Sequence, residues 1–532
     1  MALFVAAIVI FSNHLPWVFA AHIVISFQVV VLVLGSPMTG EYKLAWSIPI
    51  LLMPLIGGVF CLVYGREYFS RREVSTIIAQ WEKSRTVLSQ RPQNVLVNEE
   101  TPAAQRLDHY LRSNAGYPGF RDTEVTYYSI GEDVWAAMLT ELKQAKRYIL
   151  FQYFIIAAGR MWDELHAVLA QKAAEGVDVR VLYDDLGSVF CLPDKFESTL
   201  RSEGIHVQPI NPFGLRLNLR YNHRNHSKIL VIDGEVGLTG GVNIGDEYIN
   251  LTHPYGHWKD SAVRLRGSAV HNHAVMFTAV WNAGQDDIDW NSLPPDGTDS
   301  VPAAVGGIEP AGLTSSETQP AAQTRRQTTK AGAWEAGCDA PTTKAGDQAA
   351  GGWVQPYDDS PYDRLTVGRD AYISLLGMAT EIVDITLPYL IVDAQMSGAI
   401  MRAARAGVRV RIITPHIGDS WFVHETTRSA YLQMVEAGVE IYEYEPGYMH
   451  AKMMIADGSC AIIGTANLDY RSLHLHQECA VWLHRVEAIG QMSADFEKCL
   501  AQSLPMTLEV CRQVPWWRRG VRAFLRILAP LM

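Results

Sequence analysis

NHSKILVIDG (residues 225–234) and MHAKMMIADG (residues 449–458) carry the same three polar side chains at the same spacing. His226, Lys228 and Asp233 of the first match His450, Lys452 and Asp457 of the second, each set in an apolar run of the kind that is normally buried. ILVI and MMIA read as strands, and on extended chain residues two apart share a face, so the His and Lys of each copy point the same way. One H-x-K in an apolar segment is more often a strand edge than a site. Here the downstream text repeats too: a short apolar run is followed by GGVN ending at Asn243, or GTAN ending at Asn467. Small residues there let backbone N–H groups approach an anion, and an Asn amide adds a donor.

The repetition extends well beyond the motif. RYILFQYFII (147–156) reads as a buried strand, WDELHAVLAQKAAEG (162–176) as a helix closed by a glycine cap, and VDVRVLYDD (177–185) as the next strand. This βαβ unit predicts a parallel strand pair. Much later EIVDITLPYLI (381–391) echoes RYILFQYFII, AGVRVRIITP (406–415) echoes EGVDVRVLYD, and AGVEIYEYEPG (437–447) echoes EGIHVQPINP. The order continues into the paired motifs and then to DSAVRL (260–265) against ECAVWL (478–483). A duplication of domain length predicts two α/β lobes of one fold, over 110–283 and 353–510, each a sheet flanked by helices. Between them, 284–352 is dominated by Ala, Gly, Thr, Pro, Ser, Gln and Asp, and reads as a disordered linker.

At 532 residues the chain is long enough for two substantial cores. A formal charge of -11 argues against a general nucleic-acid binder, and no basic, aromatic-lined groove is legible. Seven cysteines show no spacing of the kind zinc sites use, so they read as reduced thiols and imply no metal.

Residues 1–68 depart from this composition. WVFAAHIVISFQVVVLVL (17–34) and AWSIPILLMPLIGGVFCLVY (45–64) carry no Asp, Glu, Lys or Arg, and each approaches the roughly 20 residues that span a bilayer. A hairpin of two transmembrane helices, over about 17–35 and 45–65, is the reading. Arg66, Arg71 and Arg72 follow the second span, which places the large C-terminal part on the cytoplasmic side. At the other end, PWWRRGVRAFLRILAPLM (515–532) mixes Trp516, Trp517, Phe524, Leu525 and Leu528 with Arg518, Arg519, Arg522 and Arg526, a basic amphipathic helix suited to an anionic membrane surface.

The chemistry follows if the two motif strands face each other. One cavity then holds two imidazoles, two ammonium groups and two Asn amides, a set that suits a phosphodiester. Lysines and amides neutralise the non-bridging oxygens while one His attacks phosphorus and the other protonates the departing oxygen. Cationic side chains supply the charge stabilisation, so neither metal nor cofactor is implied. Each imidazole needs a partner to hold its tautomer, and the repeat offers Asp260 in one lobe and Glu478 in the other. Asp233 and Asp457 carry two readings, direct chemistry or capping of the turn before Gly234 and Gly458.

H-x-K, four residues and Asp, then Gly-Gly or Gly-Thr and Asn, twice in one chain, resembles the phospholipase D superfamily, whose paired motifs meet at a pseudo-twofold interface. YDDLGS (183–188), GGVNIGDEYIN (240–250), VQPYDDSP (354–361), LPYLI (387–391) and GTANLDYRSL (464–473) are similar to bacterial cardiolipin synthases. The resemblance covers nearly the whole chain outside 284–352. It implies phosphatidyl transfer from one phosphatidylglycerol to another at a bacterial inner membrane, with His226 forming a covalent phosphatidyl-histidine and His450 serving as acid and then base. It further implies that Lys228, Lys452, Asn243 and Asn467 bind the phosphate. A phospholipase D that hands the same intermediate to water, releasing phosphatidic acid, is the alternative.

Overall fold

The computed structural model describes residues 15–36, 40–52, 57, 61, 71–90, 101–212, 223–293, 352–363 and 365–531. The first lobe contributes Glu124–Tyr128 (β1), Tyr148–Tyr153 (β2), Asp178–Asp184 (β3), His206–Ile210 (β4), Ile229–Ile232 (β5), Val236–Gly240 (β6), His257–Lys259 (β7) and Ala262–Arg266 (β8). Seven of these form a mixed sheet of order β1-β8-β6-β5-β2-β3-β4. The predicted βαβ unit is present: β2 and β3 pair in parallel, joined by the helix Arg160–Ala174, which closes at Gly176 in the left-handed region (φ 91°).

The second lobe repeats the plan. Trp353–Asp359 (β9), Ile382–Thr386 (β10), Leu390–Ile391 (β11), Arg409–Pro415 (β12), Glu440–Tyr444 (β13), Gly447–Met449 (β14), Met453–Ala456 (β15), Cys460–Gly464 (β16), Leu468–Asp469 (β17), Glu478–His484 (β18) and Ser503–Pro505 (β19) follow in chain order. Its sheet runs β19-β13-β12-β10-β15-β16-β18-β9. Replacing β9, β18, β16, β15, β10, β12 and β13 by β1, β8, β6, β5, β2, β3 and β4 reproduces the first sheet, with β19 as an added edge. Parallel and antiparallel pairings match throughout: β5 and β15 each run antiparallel to β2 and β10, which run parallel to β3 and β12.

The lobes belong to one compact unit and share a core instead of keeping two separate ones. The helix Val270–Gly284 is buried almost all round, and its Phe277 and Trp281 belong to the same apolar cluster as Trp353, Tyr357 and Trp482 of the second lobe. A second cluster, around Phe151, Trp162 and Leu165, belongs almost wholly to the first lobe. Backbone also crosses the seam: β7 pairs in parallel with β14, and Asn225 bridges in parallel to Gln477.

Three boundaries differ from the sequence reading. The stretch expected to begin the linker is packed at its start: Ile288 and Leu293 are buried, and the Trp281 indole donates to Asp287 Oδ1 at 2.6 Å. Residues 294–351 of that stretch lie outside the described residues. At the N-terminus a helix spans Leu15–Leu34 and another Gly40–Leu52, ending short of the expected 65, with 53–56, 58–60 and 62–70 outside the described residues. Among the described residues no helix is long and apolar enough to cross a membrane, so the expected transmembrane hairpin is not found as such. The C-terminal helix Trp516–Leu528 forms, but its arginines turn to protein. Arg518 and Arg522 both donate to the buried Glu425 carboxylate, Arg519 to the Arg512 carbonyl and Arg526 to Gln433 Oε1. The aromatic side chains Trp516, Trp517 and Phe524 face outward instead.

Candidate active site

Each motif enters its sheet as extended chain. β5 begins at Ile229 and β15 at Met453, one residue after the motif lysine, so each His and Lys sits at the strand mouth on the seam between lobes. Backbone bonds across that seam fix both histidines. His226 N donates to Gln477 O at 2.8 Å, and His450 N donates to Lys259 O at 2.7 Å. The acceptors are the residues preceding Glu478 and Asp260, so each His is registered against the carboxylate of the other lobe.

The side chains complete that crossing. His226 Nδ1 donates to Glu478 Oε2 at 2.9 Å, and His450 Nδ1 donates to Asp260 Oδ2 at 2.5 Å. Both pairs are buried. With Nδ1–H committed to a carboxylate, the lone pair of each imidazole lies on Nε2, the tautomer a nucleophile or base requires. Burial would raise both carboxyls, but His226 overcomes this at Glu478 and His450 at Asp260, holding each below the ordinary carboxylate range. Burial pushes the His450 imidazole down to about 4 and His226 down to about 3, so both rest neutral at pH 7.

The lysines are arranged alike. Lys228 Nζ donates to the His226 carbonyl at 2.8 Å and Lys452 Nζ to the His450 carbonyl at 2.5 Å. Both are almost fully buried. Burial pushes Lys228 down to about 7, with the Lys452 charge acting in the same direction, and pushes Lys452 down to about 8. Two ammonium groups in a desolvated seam form a site that an anion relieves.

Several neighbours were not singled out in the sequence. His450 sits among the rings of Trp258, Tyr248 and Tyr448, with centroids 5.2, 5.6 and 5.8 Å away. His226 meets Phe154 at 4.9 Å and His476 at 5.6 Å. Thr465 Oγ1 donates to Glu478 Oε2 at 2.6 Å. Tyr448 and His476 lie two residues before His450 and Glu478, so the rule that alternate residues of extended chain share a face points to them. His226, His476 and Glu478 also bring ligand-type atoms within 4.8 Å of one another, and the His226–Glu478 hydrogen bond already engages two of them.

The other expected site residues divide. Asn243 lies at the site's edge, its amide donating to Tyr248 Oη at 2.8 Å while its Oδ1 accepts from Ile155 N; Asn467 is buried, and its Oδ1 has no protein partner among the described residues. Asp233 and Asp457 are not brought to the site. Each stands at the far end of its motif strand, five residues and about 16 Å beyond the lysine. Asp233 accepts from the backbone N–H groups of Lys146, Arg147 and Tyr148 at 2.7–3.0 Å. Asp457 accepts likewise from Thr380, Glu381 and Ile382 at 2.8–2.9 Å. Both carboxylates thus bond to the backbone at the start of the neighbouring strand, a placement that neither the direct-chemistry nor the turn-capping expectation described.

One half-site from each lobe, with each histidine oriented by the opposite lobe's carboxylate, defines a two-lobed phospholipase D-like enzyme. More narrowly, residues 138–277 and 372–500 match the family described as cardiolipin synthase, PLD-like domain, and the chain belongs to that family. An uncharacterized protein of Streptococcus mutans is 32% identical, covering 94% of this chain and 99% of its own. The major cardiolipin synthase of Bacillus subtilis is 29% identical, covering 92% of this chain and 93% of its own. Among solved structures, the phosphatidylserine synthase of Haemophilus influenzae shares the fold, with a TM-score of 0.56 over 82% of this chain and 98% of that one at 12% identity.

Proposed function

We propose that this chain is a cardiolipin synthase, transferring a phosphatidyl group from one phosphatidylglycerol to the hydroxyl of a second with release of glycerol. The observation that carries the reading is the reciprocal crossing of His226 to Glu478 and His450 to Asp260. His226 Nε2 attacks phosphorus, and the bond to the glycerol headgroup oxygen breaks as His450 delivers a proton to it. His450, now neutral, takes the proton from the incoming phosphatidylglycerol hydroxyl. That oxygen displaces His226, and cardiolipin leaves. Lys228 and Lys452 stabilise the non-bridging oxygens throughout, and Asn243 and Asn467 are the further phosphate donors this reading assigns. A phosphodiester anion between the two ammonium groups raises His450 toward the proton-carrying state that the first step needs.

The reading places the enzyme at a bacterial inner membrane with its lobes on the cytoplasmic side. The N-terminal apolar hairpin acts as its anchor and the C-terminal helix lies at the surface. Supporting this are the uncharged segment within Leu15–Leu34, its exposed Ile23, Phe27, Val31 and Leu32, and the arginines after the second apolar stretch.

The test is to incubate purified full-length protein with phosphatidylglycerol and follow the lipid products. Cardiolipin with stoichiometric glycerol supports synthesis, whereas phosphatidic acid alone replaces the proposal with hydrolysis. His226→Ala and His450→Ala should each abolish transfer, and quenching wild type in denaturant at neutral pH with acyl-labelled substrate should leave label on the peptide containing His226.

A further inference from the structure

The two lobes carry matching exposed apolar loops that the chemistry does not use. After β3 the chain runs through Leu186, Gly187 and Ser188 to Val189 and Phe190, and Phe190 is 90% exposed. After the equivalent strand β12 it runs through Ile417, Gly418 and Asp419 to Trp421 and Phe422, 52% and 59% exposed, whose rings meet at 5.0 Å. Large side chains held in water at the same place in both halves of a duplicated fold are not explained by packing.

Each loop is tied to its own lobe's histidine. In the first lobe Ser188 Oγ donates to Phe154 O and accepts from Ile156 N, both at 3.1 Å, and the Phe154 ring faces His226. In the second, the Asp419 carboxylate accepts from Tyr389 Oη, which accepts from Tyr448 Oη at 2.8 Å, and the Tyr448 ring stacks on His450. The second loop is also continuous with other outward-facing apolar surface. Its helix Trp421–Ser429 holds Arg518 and Arg522 of the helix Trp516–Leu528 through Glu425, which leaves Trp516, Trp517 and Phe524 outward. That C-terminal helix packs in turn against the helix Gly40–Leu52 of the apolar hairpin, whose Tyr42 meets Tyr470 edge-on at 6.2 Å.

We propose that Val189–Phe190 and Trp421–Phe422 are paired wedges that enter the headgroup region of the bilayer, one beside each half-site, so that a phosphodiester is taken up while its acyl chains stay in lipid. The inference rests on the phospholipid-transfer reading. A bilayer is the occupant because the surface of the second loop continues from the apolar hairpin, because the first loop stands at the equivalent place of its own lobe, and because aromatic rings favour the membrane interface. The two loops also share apolar character and not shape, Val-Phe in one lobe and Trp-Phe in the other. Insertion asks for apolar character alone, whereas docking a protein partner asks for a particular contour.

Full-length protein in nanodiscs of phosphatidylcholine and phosphatidylglycerol, the latter bearing a diazirine on one acyl chain, gives the direct test. Photolysis should place adducts on the peptides containing Phe190 and Trp421–Phe422 as well as on 15–52. Adducts confined to 15–52 overturn the proposal. Because labelling needs no turnover, adducts without transfer would remove the catalytic reading and keep the wedges, while transfer without loop adducts would do the reverse. As a second measurement, Phe190→Ser combined with Trp421→Ser and Phe422→Ser should raise the vesicle KM, in mole fraction, roughly tenfold or more with kcat held. Turnover of monomeric short-chain phosphatidylglycerol should be unchanged, and equal losses on both substrates, or none on either, refute the wedge role.

Discussion

Thr465 Oγ1 donates to Glu478 Oε2 at 2.6 Å, while Gly241, the equivalent residue of the first lobe, lies so close to Asp260 that a Cβ would stand 2.0 Å from its Oδ1. The pseudo-twofold site is therefore asymmetric in the layer behind its histidines. A longer carboxylate is steadied by a hydroxyl on the His226 side. A shorter one is held on the His450 side by the Ser261 backbone N–H, at 2.8 Å, in space that only a glycine leaves.

Removing the hydroxyl should therefore weaken the His226 half alone. A hydrogen bond to a buried ionised group contributes about 1.5–3 kcal/mol, so Thr465→Val should lower kcat by roughly tenfold to a hundredfold, at 1.36 kcal/mol per tenfold, with KM little changed. Rapid-quench measurement should assign the loss to formation of the phosphohistidine. Thr465→Ser, which restores the donor, should recover most of the rate; a serine variant as slow as the valine one would show that the methyl group matters and not the hydrogen bond.

On the opposite side, the smallest possible addition should be damaging. In Gly241→Ala either Asp260 or the backbone must move by an ångström or more, and Asp260 is fully buried with both oxygens engaged. Misplacing a catalytic group by about 1 Å costs on the order of a hundredfold. The expected result is a loss of kcat at least that large, with folding preserved as judged by circular dichroism. A near-normal rate would mean that Asp260 does not need its observed position.

Much of this was legible in the sequence, and what was not has identifiable causes. The duplication exposed the two-lobe α/β plan because residue order, and not only composition, repeated from 147–156 to 478–483. The crossing of His226 to Glu478 was not legible, because Asp260 and Glu478 occupy matching places and local spacing cannot tell which lobe each faces. The direction of the tail arginines was hidden for a related reason: Glu425, which captures Arg518 and Arg522, lies more than ninety residues away in a helix of unremarkable composition. The linker start was misplaced because Gln285 to Ser292 is polar by composition, yet Ile288 and Leu293 anchor it to the first lobe.

Asp233 and Asp457 share the motif with the catalytic residues but should behave as structural ones. Each stands at positive φ, 56° and 50°, and receives three backbone N–H groups at the start of the strand that pairs with its own. Asp457→Ala loses these acceptors and places a less tolerant residue in the left-handed region, which should cost about 1–3 kcal/mol of stability. Thermal unfolding in detergent should show a lowered Tm, while kcat per correctly folded molecule, counted by phosphohistidine titration, stays within a few-fold of wild type. A variant with unchanged Tm and abolished kcat would return these residues to the chemistry.

The lysines set the pH response, and its sign follows from which form binds. Phosphodiester binding needs both ammonium groups charged, yet burial pushes Lys228 down to about 7 and Lys452 down to about 8 in the free enzyme. As pH rises through this range the free enzyme loses protons that substrate requires, so kcat/KM should fall between about pH 7 and 9. Once the anion is bound it favours the charged lysines and raises their pKa together with that of His450, so kcat should hold to higher pH than kcat/KM and fall where bound His450 loses the proton it delivers. Each histidine rests neutral above about pH 4, which leaves His226 competent to attack across the whole range. Lys228→Arg keeps a charge that does not titrate here but cannot match the compact ammonium seated on the His226 carbonyl. It should therefore flatten the lower limb of the kcat/KM decline while lowering the plateau, and an unchanged profile would assign the titration to another group.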